Sequence, residues 1–282
     1  MPQIRLPIYD CAWHCSTPRR PSLICTWSRP MQPDMSPWRV KESYDYLERL
    51  PPEGLAWEFL RRNTNYQRDY TLRKSERRSR GKADTEKQWG LLYLVDPTET
   101  ALGKPVYWSP KADPAVLVII RTPDLFEPKI QLDIPVSLTQ KSAGGFNAVS
   151  VFDDCMFNVI FTASSKPTDP CTALLPIDED CLSRIETLTR FWRALHGRTV
   201  PADTRLTSQQ RRRIRLMMQA FDGRDNNATY REIADVIYGA SRVAADAWKT
   251  SALRDSTIAL VKDGKAMVEG EYLQLLKHRR RN

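Results

Sequence analysis

Five side chains in the last third of the chain have types and spacing suited to reading a nucleic acid. Wound at helical periodicity over roughly residues 246 to 262, Ser251, Arg254, Asp255, Ile258 and Lys262 fall on one narrow stripe. An arginine can fork onto guanine, an isolated isoleucine can touch a thymine methyl, and lysine and serine can hold phosphate. Asp255 opposes phosphate unless it pairs with Arg254 or accepts from cytosine. Arg242, Lys249 and Thr250 just upstream join Ser251 and Arg254 as groups expected to approach bases. Arg211, Arg212, Arg215 and Lys262, with Arg279 and Arg280 of the tail, are expected to attract phosphates.

Catalytic alternatives have no comparable support. The chain of 282 residues holds three histidines and 11 glycines, and it lacks HExxH, GxSxG, GxxxxGK[ST] and GxGxxG. Cys11, His14, Cys15 and Cys25 resemble half of a zinc site, but the second ligand pair is missing. No cofactor or metal is expected. A thiol enzyme built on Cys11, Cys15 or Cys155 would need a base partner that no spacing supplies.

Charge distribution agrees with a polyanion partner. Residues 181–282 carry 20 basic and 11 acidic side chains, a net of +9 that equals the excess of the whole chain. Residues 100–180 carry six basic and ten acidic side chains, a balance suited to docking rather than to nucleic acid. No apolar run approaches a membrane span. Pro2 and Pro7 break any signal-peptide core, and six cysteines in a chain of this length fit a reducing cytoplasm, nucleoid-associated if DNA is the partner.

The elements that must position these residues follow from periodicity and punctuation. Residues 1–36 are proline-dense and aperiodic, and read as a disordered or loosely packed leader, which a start at Met31 or Met35 would remove. Tyr44, Leu47 and Leu50 sit at helical spacing before Pro51-Pro52. A second helix carries Leu55, Ala56, Phe59 and Leu60, flanked by Trp57 and Tyr66. From Arg61 to Lys87, ten basic and four acidic residues read as a solvated helix face and linker, or as a second phosphate-contacting segment. Short β-prone runs at residues 91–95, 115–120, 130–138 and 155–162 predict a small antiparallel sheet.

Leu182, Ile185, Leu188, Trp192 and Leu195 predict an amphipathic helix ended by Gly197. Thr207–Gln210 and Thr229–Glu232 are capping boxes that open two further helices. A turn of about six residues through Ala240, Ser241 and Arg242 leads to the stripe-bearing helix, longer than the three or four of a standard helix-turn-helix. Ala252, Leu253, Ala259 and Leu260 are expected to be its core side. The expectation is an α+β protein: a helical N-terminal interaction domain over 37–100, a β-rich region over 101–178, and an all-α helix-turn-helix variant over 179–282.

"SYDYLERLPPEGLAWEFLRRNTNYQRDY" (43–70), "RFWRALHGR" (190–198), "RLTSQQRRRIRLMMQAFDGR" (205–224), "TYREIADVIYGASRVAADAWKTSALRD" (229–255) and "EYLQLLKHRR" (271–280) resemble the FseA-type activators of integrative and conjugative elements. The resemblance implies an activator of a mobile element's excision and transfer, whose C-terminal domain binds promoter DNA on one face. It implies that the opposite face packs on the N-terminal domain, through residues such as Tyr44, Leu47, Trp57, Phe59 and Leu60. It also implies an acidic antiactivator competing for that N-terminal domain. Activation requires RNA polymerase, whose contact is expected on the N-terminal half. The competing expectation is an adaptor or antiactivator whose basic face meets an acidic protein.

Overall fold

The computed structural model describes residues 32–76, 82–103, 105–127, 133–142, 144–152, 155–245 and 247–277. The leader before residue 32, with Cys11, His14, Cys15 and Cys25, and the tail with Arg279 and Arg280 lie outside the described residues. Helix and sheet mix as an α+β fold should.

The N-terminal part is helical, and prolines set its joints. A 3-10 helix over Lys41–Glu48 buries Tyr44 and Leu47. Pro52 opens α1 (Pro52–Leu60), where a missing N–H costs nothing. Helices α2 (Thr64–Glu76) and α3 (Lys82–Trp89) follow. Trp57, Phe59, Leu60 and Tyr66 are fully enclosed. Leu91 is buried too, but the 91–95 run forms no strand: its one ladder contact is a bridge to Trp108.

Five strands, β1 (Leu117–Arg121), β2 (Ser137–Ser142), β3 (Gly145–Phe152), β4 (Cys155–Thr162) and β5 (Cys171–Leu174), form one sheet in the order β2-β3-β4-β1-β5. The expected all-antiparallel arrangement fails at its centre. Strand β1 runs parallel to β4, with Leu117 opposite Val159 and Ile119 opposite Phe161. Sequence alternation marks a strand but carries no sign of pairing direction. The meander β2-β3-β4 brings β4 back beside β1 from the far edge.

Helix α4 (Cys181–Leu195) lies on this sheet, with Phe191 and Ala194 in a core shared with Leu117, Ile119, Phe157 and Phe161. Helices α5 (Ser208–Asp225), α6 (Tyr230–Tyr238), the short α7 (Ala240–Ala244) and α8 (Ala252–Glu269) follow, and the described residues end after a 3-10 turn over Glu271–Leu276. Both capping boxes form as the sequence predicts. Thr207 accepts from the Gln210 amide at 3.2 Å and Thr229 from the Glu232 amide at 3.2 Å, each reciprocated by the N3 side chain. Gly239, at φ +92, ends α6 in a conformation other residues avoid. Helices α5 and α8 cross so closely that a Cβ on Gly264 would stand 2.5 Å from the Met217 carbonyl oxygen.

One core joins the two ends of the chain. Tyr44, Leu47, Trp57, Phe59 and Leu60 belong to the same cluster as Met217, Met218, Ile233, Leu260, Met267 and Leu276. Burying each such side chain contributes about 1.5–3 kcal/mol, so helices α5 to α8 are stabilised by the N-terminal helices rather than standing apart from them.

Candidate nucleic-acid interface

Helix α8 fixes the outward face. Ser251 caps it, its side-chain oxygen accepting from the Leu253 amide at 3.2 Å. The inward side is Thr257, Leu260, Val261, Gly264, Met267 and Val268, a face set by the helix's second half. Of the four expected core residues only Leu260 is buried; Ala252 is exposed, and Leu253 and Ala259 are intermediate. The expectation assumed a helix beginning near residue 246. In fact α7 and a 3-10 turn over Trp248–Thr250 fill the extended turn, and α8 starts at Ala252.

The outward side keeps most of the expected readers. Arg242, Lys249, Thr250, Asp255 and Lys262 are exposed, and Arg254 and Ile258 are half-buried. Arg254 donates to Asp255 at 3.3 Å, so the acidic residue of the stripe is already paired on the surface. Ser251 departs from expectation, because at 4% exposure it is spent on the cap and cannot approach a base. Tyr238 lies against this surface: its hydroxyl neighbours Thr257 and Ser256 and senses the charges of Arg213 and Arg242, although burial dominates and raises its pKa. Sequence periodicity placed Tyr238 nowhere in particular, since only the folded crossing of α6 and α8 brings it there.

The α5 arginines divide. Arg212 is exposed, and Arg213 pairs with Asp263 of α8 at 2.6 Å. Arg211 donates to the Leu50 carbonyl. Arg215 is a correction to the phosphate-contacting set: at 3% side-chain exposure it turns inward, donating to Asp45 at 2.8 Å and to the Lys41 carbonyl at 2.7 Å. Arg215 precedes Met218 by three residues and so lies near its face of α5, and the N-terminal 3-10 helix covers that side.

The same surface buries Arg61 and Arg62, which neither solvate a helix face nor reach phosphate. Arg62 grips both carboxylate oxygens of Asp222 at 2.7 and 2.8 Å, and Tyr44 donates to Asp222 at 2.6 Å. Glu58 receives Arg61 at 2.9 Å and Arg62 at 3.0 Å. Burial pushes the Glu58 carboxyl upward, but the two guanidiniums outweigh it and hold it below the ordinary value. Burial and Asp222 raise the Tyr44 phenol, which therefore stays a donor. Asn63 donates to the Val268 carbonyl at 2.8 Å and Gln219 to that of Trp38 at 2.9 Å. These polar bonds fix one docking of the N-terminal helices on α5 and α8.

A second buried cluster ties the sheet to both. Arg205 meets Asp203 at 2.6 Å, Glu53 at 3.0 Å and Asp113 at 3.4 Å. Burial pushes Asp113 up to about 7 against the pull of Arg205, with Glu53 and Asp203 adding repulsion.

Two family models match this architecture. Residues 174–277 match the family described as "T6SS, Transcription factor, DNA binding domain". Residues 37–94 match a "Proteobacterial transcriptional regulator-like domain". No curated protein matches the chain. The two matches support a transcriptional regulator with a C-terminal DNA-binding domain. Among the described residues no helix is long and apolar enough to cross a membrane, and no cluster of side chains is arranged to hold a metal ion.

Proposed function

We propose that this regulator reads a specific double-stranded promoter sequence through the first half of α8, and activates transcription of genes for excision and conjugative transfer of a mobile element. The observation that carries the reading is the outward α8 face: Arg254, Ile258 and Lys262, preceded by exposed Arg242, Lys249 and Thr250, on a helix anchored by a continuous core on its other side. Arg254 and Arg242 are assigned to bases, Lys249, Lys262 and Arg212 to phosphates, and Ile258 to apolar contact in the groove. The mobile-element target, the RNA polymerase contact and an acidic antiactivator rest on the FseA-type resemblance. The chain works in the cytoplasm on this reading.

The test is a fluorescence-anisotropy titration of the full chain with duplex from upstream of neighbouring genes, against a scrambled duplex, at two salt concentrations. Preference for the native duplex should survive the higher salt, and Arg254→Ala should weaken it by about 1–3 kcal/mol while blurring one base position. Equal, steeply salt-dependent binding to both duplexes would leave only non-specific attraction and favour an adaptor that meets an acidic protein.

A further inference from the structure

Of the five apolar α4 positions at helical spacing, Leu188 and Leu195 pack in the sheet core beside Phe191 and Ala194, and Leu182, Ile185 and Trp192 do not. Leu182 is 69% exposed, Ile185 46% and Trp192 43%. With Thr189 these residues recur at spacings of three, four and three, the seam pattern of paired helices. Trp192 is held in place, with the His196 ring at 4.3 Å and the Arg198 guanidinium at 4.8 Å from its ring centre.

We infer that this face is a homodimer contact in which α4 packs antiparallel on α4 of a second copy. The seam is self-complementary about a two-fold axis near Thr187: Leu182 falls opposite the second copy's Trp192, and Ile185 opposite its Thr189. Charge agrees with that direction and opposes the parallel one. Glu179 is exposed at the helix start, where Asp178 is already paired with Arg184 at 2.7 Å, and Arg193 and Arg198 are exposed at its end, so antiparallel packing sets Glu179 against the basic end of the second copy. An isologous contact of this kind closes at two subunits. It would give the regulator two DNA-binding faces, although the dimer itself needs no DNA and is measured without it. A pair of 15-residue helices buries a small area, so a micromolar dimer is expected.

Sedimentation equilibrium of the full chain, without DNA, tests this. Wild type should show a monomer–dimer equilibrium with Kd of roughly 1–50 μM, and Ile185→Asp should raise it at least about thirtyfold. Arg193→Glu should weaken the dimer about tenfold, and adding Glu179→Arg should restore most of the loss, because a two-fold contact exchanges both charges together. Circular dichroism should show the helical content of all variants unchanged. A wild type that stays monomeric at about 100 μM, or self-association that Ile185→Asp leaves intact, overturns the inference and leaves the seam to a different protein.

Discussion

The inner face of α5 and the outer face of α8 carry the same kinds of side chain and put them to opposite uses. On α5, Arg215 and Asp222 are buried, Asp222 held by Arg62 and Tyr44 and Arg215 reaching out to the exposed Asp45. On α8, Arg254 and Lys262 lie at the surface, and the pairing of Arg254 with Asp255 is exposed. A buried cation needs a fixed partner and specifies a docking geometry, whereas an exposed one is free to exchange a weak partner for phosphate or a base. Net charge therefore overstates the cation available to DNA. Arg61, Arg62, Arg205 and Arg215 are all counted in the excess and all are buried.

The comparison breaks most visibly at Asp222. Asp222→Ala leaves Arg62 with one carboxylate partner and Tyr44 with none, and should cost about 3–5 kcal/mol in urea unfolding, as removal of one partner from a buried pair does. A loss below about 1 kcal/mol would place Asp222 among the exposed groups after all.

Asp113 gives a smaller effect with a defined sign. Its folded pKa of about 7 lies above the ordinary carboxylate value, so the folded protein binds the extra proton between roughly pH 4 and 7. Stability from this group is complete below that range and falls as pH rises through 7. Asp113→Asn, which cannot lose a proton, should flatten the decline in the urea midpoint between about pH 5.5 and 8. An unchanged slope would show that Arg205 holds Asp113 ionised throughout, against the repulsion of Glu53 and Asp203.

Local chemistry was legible in the sequence, and long-range pairing was not. Capping boxes at Thr207 and Thr229 close within four residues, so their types and spacing determine them. The proline joint at residues 51–52 and the buried faces of Tyr44, Leu47, Phe59 and Leu60 were equally plain. The parallel β1–β4 contact depends on which edge a connection reaches, and nothing local encodes that. The apolar stripe of helix α4 is split, with Leu188 and Leu195 packed in the sheet core. Phe191 and Ala194 met the sheet, and Leu182, Ile185 and Trp192 were left outside. At the candidate interface, Arg254, Ile258 and Lys262 lie on the outward side of α8, while Ser251 and Arg215 are drawn inward by a cap and by Asp45.

The most direct measurement is the salt dependence of binding to the native duplex for wild type, Lys262→Ala and Arg215→Ala. If the outer face of α8 meets DNA and the inner face of α5 does not, Lys262→Ala should reduce the slope of log Kobs against log salt by about one. Arg215→Ala should leave that slope unchanged while lowering the unfolding midpoint. A reduced slope for Arg215→Ala with none for Lys262→Ala would contradict the account.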